Sequence, residues 1–133
     1  MLETTYKFPK SERLCGEIRI GELFKSGNAY MAYPYRVVYS LVPKTELKHQ
    51  PMVQVLMNVP KKRHKRAVKR NRIKRLMRES YRLNKHSLFD YFDDSEHRLQ
   101  IAFNYVSDEE LDFEYMNKRM KLAFNKLIEE LMK

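Results

Sequence analysis

Residues 52–83 read Met-Val-Gln-Val-Leu-Met-Asn-Val-Pro, then Lys-Lys-Arg-His-Lys-Arg, then Ala-Val-Lys-Arg-Asn-Arg-Ile-Lys-Arg-Leu-Met-Arg-Glu-Ser-Tyr-Arg-Leu. The first piece, residues 52–59, has the apolar density of a strand buried on at least one face, and Pro60 stops it by removing a backbone donor. Residues 61–66 form a cationic loop. From Ala67 onward a 3.6-residue period takes over. Ile73, Leu76, Met77 and Ser80 share one side, extended by Leu83, while Asn71, Arg75, Arg78 and Arg82 fall together opposite them, flanked by Arg72 and Lys74. A strand therefore feeds a helix that packs with one side and presents guanidinium groups with the other.

Working outward, residues 98–106 alternate Leu99, Ile101, Phe103 and Tyr105, a strand pattern. Residues 29–42 are rich in Tyr and Val, and Pro34 divides them into two short strands or one bent edge strand. Within them Tyr35, Val37 and Tyr39 share one face. Residues 17–25 predict a short helix ended by Gly27. A last helix begins near Phe113 with an apolar stripe of Met116, Met120, Ala123, Phe124, Leu127 and Leu131. Ser107 with Glu110 has capping-box spacing, and Asp112 is a second candidate cap. Residues 43–51 read as a polar loop, residues 85–96 as a linker with an acidic cluster, and residues 1–10 as an extended arm. The order helix, strands, helix, strand, helix suits an α+β fold, a two-layer sandwich with helices against one sheet. At 133 residues the chain predicts one domain, residues 1–133.

Charge is confined to the opening stretch. Residues 61–82 carry 12 Lys and Arg against one acid, Glu79, while the rest of the chain carries 15 against 16. Almost all of the net charge of +10 is therefore local. Like charges at helical spacing repel by a few tenths of a kcal/mol per pair, so a polyanion that offsets them is the physical partner such a helix calls for. Seven of the twelve cations are arginine, whose planar fork suits phosphates and stacked bases better than lysine does. Phe24, Tyr35 and Tyr39 suit either ordinary core packing or the stacking of unpaired bases. Arginines that seek phosphate so uniformly argue against a major-groove reading helix.

Groups for protein-borne catalysis are sparse. His49, His64, His86 and His97 are scattered with no helical pair, and Gly16, Gly21 and Gly27 match no phosphate-loop spacing. Asp90, Asp93 and Asp94 lack calcium-loop spacing and read as a solvated acidic stretch. No catalytic and no metal-ligating residue is assigned. The single cysteine, Cys15, excludes an internal disulfide and suits a reducing cytoplasm. The opening residues lack a secretory-signal pattern, and no apolar run approaches the roughly 18 residues of a membrane span.

Residues 67–79 closely resemble the signature of the protein subunit of bacterial ribonuclease P: an alanine, then Arg70-Asn71-Arg72, then Lys74-Arg75, then Arg78 one turn on. Arg13-Leu14, Phe24-Lys25 with Gly27, and Val59 with Lys61-Lys62 extend the resemblance to nearly the whole chain. It implies a short N-terminal helix followed by βββαβα order (ribosomal protein S5 domain 2-like) with a left-handed βαβ crossover. It also implies that a catalytic RNA subunit, using Mg²⁺ bound mainly by that RNA and the substrate, removes the 5′ leader of precursor tRNA. The protein subunit is an accessory, one per RNA, cytoplasmic and away from membranes. By position, Lys61, Lys62, Lys65, Arg66, Arg70, Asn71, Arg72, Lys74, Arg75 and Arg78 would bind the RNA subunit. Ile20, Phe24, Val37 and Tyr39 would line a cleft for the single-stranded leader. This chain departs from the family pattern at Ile20, where many members carry phenylalanine, and in residues 61–66, which lack the usual glycine and include His64.

Overall fold

A computed structural model describes residues 8–46 and 51–133. In chain order the elements are α1 (Glu17–Ser26), β1 (Asn28–Ala32), β2 (Tyr35–Pro43), β3 (Val53–Asn58), α2 (Ala67–Asn84), α3 (His86–Phe92), β4 (His97–Tyr105) and α4 (Phe113–Leu131), with 3-10 turns at Lys10–Glu12 and Lys44–Glu46. The βββαβα order behind a first helix is the expected one, with α3 added. Residues 85–96, read as a linker, hold that helix because Leu88 and Phe92, one turn apart, both bury against the core. Most of the expected arm (residues 1–7), and residues 47–50 of the loop, lie outside the described residues.

The four strands stand in the order β1-β2-β4-β3. Pro34 turns β1 into β2 as an antiparallel hairpin, β2 pairs antiparallel with β4, and β3 runs parallel to β4. Parallel neighbours cannot be joined by a tight turn, so α2 and α3 cross the sheet between them. The crossed face carries Tyr35, Val37 and Tyr39 of β2, Val53 and Val55 of β3, and Leu99, Ile101, Phe103 and Tyr105 of β4, which pack against α2, α3 and α4. α4 closes this core with Met116, Met120, Ala123, Phe124 and Leu127, and the Asp112 carboxylate caps it by accepting from the Tyr115 N–H at 2.8 Å. Ser107 is no helix cap. It is buried, and its hydroxyl accepts from the Glu109 N–H and from the Tyr33 hydroxyl. The Tyr35 hydroxyl donates to the Met116 carbonyl at 3.0 Å and that of Tyr30 to the Ala123 carbonyl at 2.7 Å, so the tyrosines bury their rings and satisfy their polar ends.

On the opposite face the sheet is half covered. Leu23 and Ile20 of α1 pack with Leu14 on Val38, Leu56 and Ala102. Gly27 is required where α1 meets the hairpin, since a Cβ there would overlap the Leu23 carbonyl and stand 2.9 Å from the Tyr39 carbonyl oxygen. The amphipathic reading of α2 holds for Ile73, Met77 and Ser80. It missed Tyr81, which is fully buried, and wrongly extended the packed side to Leu83, which lies 39% exposed.

Among the described residues one ion pair is buried. The Lys85 ammonium lies 3.1 Å from both Glu12 carboxylate oxygens, and the Tyr81 hydroxyl donates to Glu12 at 3.3 Å. Glu12 precedes α1 while Lys85 separates α2 from α3, so the pair pins the N-terminal arm to the crossover. Removing one member strands a buried charge, whereas replacing both with apolar groups does not. Lys85→Met is expected to cost about 3–5 kcal/mol in urea unfolding, and Lys85→Met with Glu12→Leu to recover most of it. Equal losses in the single and double variants would show that the pair is not coupled. Burial, aided by the neighbouring Tyr39, Tyr105 and Glu12 respectively, raises the hydroxyl pKa values of Tyr30, Tyr35 and Tyr81 above the ordinary 10.0. Unfolded tyrosines therefore ionise first, so their contribution is whole below that value and is lost as pH rises. The urea midpoint should fall between about pH 9 and about pH 11, together with the appearance of tyrosinate absorbance.

Candidate nucleic-acid interface

Packing fixes the orientation of α2, and its orientation makes the surface. With Ile73, Met77 and Tyr81 turned into the core, the helical period leaves Asn71, Arg72 and Arg75 in solvent and Arg78 half-buried beside them. Together with Val68 these four line one shallow groove along the helix. Among the described residues neither Arg75 nor Arg78 forms an ion pair, although the Arg75 charge is felt by Glu79. Arg82, one turn further, is already occupied: its guanidinium donates to the Glu79 carboxylate at 2.8 and 3.2 Å, which holds that carboxyl below its usual pKa.

The loop before α2 is built to hold its cations outward. Pro60 offers its carbonyl to the N–H groups of Arg63 and His64, making a tight turn from which Lys61, Lys62, Lys65 and Arg66 project into water. His64 turns inward and is 2% exposed. Its Nε2 lies 2.8 Å from the Ser107 carbonyl oxygen, which makes Nε2 the protonated nitrogen, and its ring rests against Tyr105. Arg70 closes the loop from the helix side, donating through Nη1 to the His64 carbonyl at 3.0 Å and to the Lys65 carbonyl at 2.7 Å. Glu110, beyond β4, lies 3.0 Å from the Arg72 guanidinium and 3.9 Å from the Lys69 ammonium.

Of the ten residues expected to bind RNA, nine present their charged or polar ends at the surface of the loop and α2. Arg70 is the exception, because its guanidinium is engaged with the loop's own carbonyls. Sequence reading could not show this, since Arg70 is as basic as its neighbours. Lys74 lies on the flank of α2 that faces the N-terminal arm, beside Arg13 and Arg78.

The cleft needs correction. Ile20 and Phe24 stand on α1, on one side of the sheet, while Val37 and Tyr39 point into the core on the other. Val37 has no exposed surface, and the Tyr39 ring meets Tyr30 edge-on. Those four side chains do not form one cleft. Side chains alternate faces along a strand, so β2 offers Arg36, Val38 and Ser40 on the α1 side. The signal was present in β4, whose Leu99, Ile101, Phe103 and Tyr105 must share a face with Tyr35, Val37 and Tyr39 under the helices. Beside α1 the sheet carries Arg36 exposed and a ladder of amides, in which Asn58 Nδ2 donates to Asn104 Oδ1 at 3.0 Å and Asn104 Nδ2 donates to the Arg36 carbonyl at 3.1 Å. Phe24, 43% exposed, and Met31, 48% exposed, add apolar surface on that side.

Among the described residues no three His, Cys, Asp or Glu side chains converge as metal ligands, and no helix is long and apolar enough to cross a membrane. A separate cleft, lined by Met52, Phe89, Phe92, His97 and Arg98, lies where β4 begins, away from the α2 N-terminus.

The family model described as Ribonuclease P matches residues 8–128. A Porphyromonas gingivalis protein named ribonuclease P protein component is 45% identical over 117 residues, covering 88% of this chain and 83% of its own length. One from Chlorobium phaeobacteroides with the same name is 40% identical over 102 residues, covering 73% and 70%. In fold, the Staphylococcus aureus RNase P protein superposes with a TM-score of 0.65 at 16% identity, covering 89% of this chain and 96% of that one.

The contacts of Arg70 separate it from its neighbours in a measurable way. Arg70→Gln should lower stability by about 1 kcal/mol in chemical unfolding, through lost charge-assisted bonds at a partly exposed site. Arg75→Gln should change it by less than about 0.5 kcal/mol. Equal effects would mean that Arg70 is not holding the loop.

Proposed function

We propose for this chain, which belongs to the ribonuclease P protein family, the role of RNA-binding accessory subunit in removal of the 5′ leader from precursor tRNA. Residues 1–133 act as one RNA-binding domain in the cytoplasm, one protein per RNA subunit. The observation that carries this reading is the outer side of α2, where Asn71, Arg72, Arg75 and Arg78 stand side by side while the opposite side of the helix is locked in the core.

The mechanism is electrostatic and geometric. Lys61, Lys62, Lys65 and Arg66 on the loop, with Asn71, Arg72, Lys74, Arg75 and Arg78 on α2, neutralise backbone phosphates of ribonuclease P RNA. Arg70 acts indirectly, by holding the loop in shape. Glu110 is displaced from Arg72 and Lys69 when a phosphate takes its place, an exchange of one anion for another that costs little at an exposed site. The single-stranded leader of precursor tRNA lies along the sheet face beside α1, where Phe24 offers a ring for stacking and Arg36 a cation for phosphate. Ile20 contributes apolar wall there, and Val37 and Tyr39 support the face from behind. Magnesium ions held mainly by the RNA subunit and the substrate supply the hydrolytic chemistry, so the protein contributes affinity and position and no catalytic side chain.

Reconstitution tests this directly. Combined with a bacterial ribonuclease P RNA and precursor tRNA at low magnesium, the protein should stimulate 5′ cleavage, and no stimulation would overturn the reading. Cleavage by the protein without RNA would overturn the assignment of chemistry to the partner. Engagement of ~5 phosphates should give a log affinity that falls with log salt at a slope of about −4. Arg75→Ala and Arg78→Ala should each weaken RNA-subunit binding by about 1 kcal/mol. Phe24→Ala should spare that binding and instead reduce discrimination between leader-bearing and mature tRNA by roughly 1–3 kcal/mol, the worth of one stacked base.

A further inference from the structure

The sheet edge at β3 carries a second arrangement that suits RNA, on the flank of α2 that faces the N-terminal arm, where it shares Arg78 with the outer groove of the helix. The order β1-β2-β4-β3 leaves two edge strands, and this one is β3. The arm runs alongside it only briefly: Arg13 bridges Val55 in parallel fashion, and the Leu14 N–H donates to the Val55 carbonyl at 2.8 Å. Val55 therefore turns its backbone polar groups away from β4 and toward the arm. Backbone groups alternate sides along a strand, so Met57, two residues on, presents its N–H and carbonyl to the same free edge. The arm would cover them next, but Gly16, at φ +99°, turns the chain away into α1. Among the described residues no backbone partner covers this donor and acceptor, which stand side by side on the edge.

Around that edge lies a cavity of about 280 Å³, floored by Phe8, Leu14, Val55, Leu56 and Met57 and flanked by Cys15. Three cations rim it: Arg13 from the arm, and Lys74 and Arg78 from α2. Arg13 stacks over the Phe8 ring at 5.3 Å. None of the three pairs with a carboxylate among the described residues. An apolar floor, a paired backbone donor and acceptor, and an uncompensated cationic rim match the three parts of a nucleotide. A planar base lies on apolar side chains, its polar edge meets the Met57 N–H and carbonyl, and its phosphate meets the cations. A base inside a duplex has its polar edge occupied and cannot make this contact. A fully apolar ligand would leave the cations and the strand edge unused.

We infer that the groove between the arm, the Met57 edge of β3 and the Lys74–Arg78 flank of α2 binds one unstacked nucleotide of single-stranded RNA. The inference rests on RNA being the partner of this chain, as proposed above, and adds to the cations Lys74 and Arg78 a base-binding groove beside them. The nucleotide comes from the RNA subunit or from the precursor leader, and the experiment separates these sources.

Cys15 makes the site observable, since it is exposed at the rim and is the only cysteine in the chain. The intact protein is alkylated with iodoacetamide alone, with ribonuclease P RNA, with a single-stranded leader oligonucleotide, and with a duplex of equal length. Gel shift under the same conditions reports complex formation. Occupancy should slow Cys15 alkylation by about tenfold or more with the RNA subunit or with the leader, whichever supplies the nucleotide, and not with the duplex. RNA that binds while Cys15 reacts at its free rate overturns the site and leaves the functional reading standing. Equal protection by the duplex overturns the claim of an unstacked base. Failure of every RNA to bind overturns both. As an independent measure, Cys15→Tyr fills the groove without changing any charge. It should lower affinity for the protecting RNA by about tenfold at an unchanged salt slope, whereas Lys74→Gln with Arg78→Gln should flatten that slope by roughly two. A Cys15→Tyr protein that folds and binds with unaltered affinity also overturns the site.

Discussion

The arrangement depends on the parallel pairing of β3 with β4. Two parallel strands need a crossover long enough to return the chain to its starting end, and here that crossover is α2 with α3. Its apolar side is drawn onto the sheet by Ile73, Met77 and Tyr81. The rotation of α2 is then no longer free, so the outward direction of Asn71, Arg72, Arg75 and Arg78 follows from burial on the other side. The same pairing brings the end of β3, and with it residues 61–66, beside the end of β4. His64 can therefore reach Ser107, and Glu110 can reach Arg72.

A chain that concentrates cations must keep them from disordering the structure that presents them. Three devices serve that end. Arg70 uses its charge on the carbonyls of its own loop, Arg82 on its neighbour Glu79, and Lys85 on the buried Glu12. The remaining cations lie at the surface, Arg63 beside Asp108 and Lys69 and Arg72 beside Glu110, where water and salt screen their mutual repulsion until a polyanion replaces that screening. The like-charge strain of the helix is thus confined to the side where a partner relieves it.

Much of this was legible in residue order. The end of α1 at Gly27, the break at Pro34, the Asp112 cap and the stripe of α4 are local effects, and local signals marked them. The errors share one cause. Val37 and Tyr39 were correctly placed on one side of β2, but which side faced α1 depended on β4 and α4, far away in sequence. α3 was hidden because seven residues carry too few turns for a period to declare itself, and its helicity is maintained by Leu88 and Phe92 packing on distant partners. The burial of Tyr81 and Lys85 has no local signal, because it depends on Glu12, some seventy positions earlier, meeting their hydroxyl and ammonium.

Residue order by itself determined the secondary elements other than α3, the concentration of charge in residues 61–82 and the family, because these rest on period, propensity and the identity of neighbouring side chains. Only the tertiary structure decided which cations pair with carbonyls or carboxylates, which sheet face lies beside α1, and that Met57 stands on an edge left uncovered among the described residues. Those outcomes depend on which remote groups meet. An arginine bonded to a carbonyl and an arginine in water have the same letter, and only the fold gives them different surroundings.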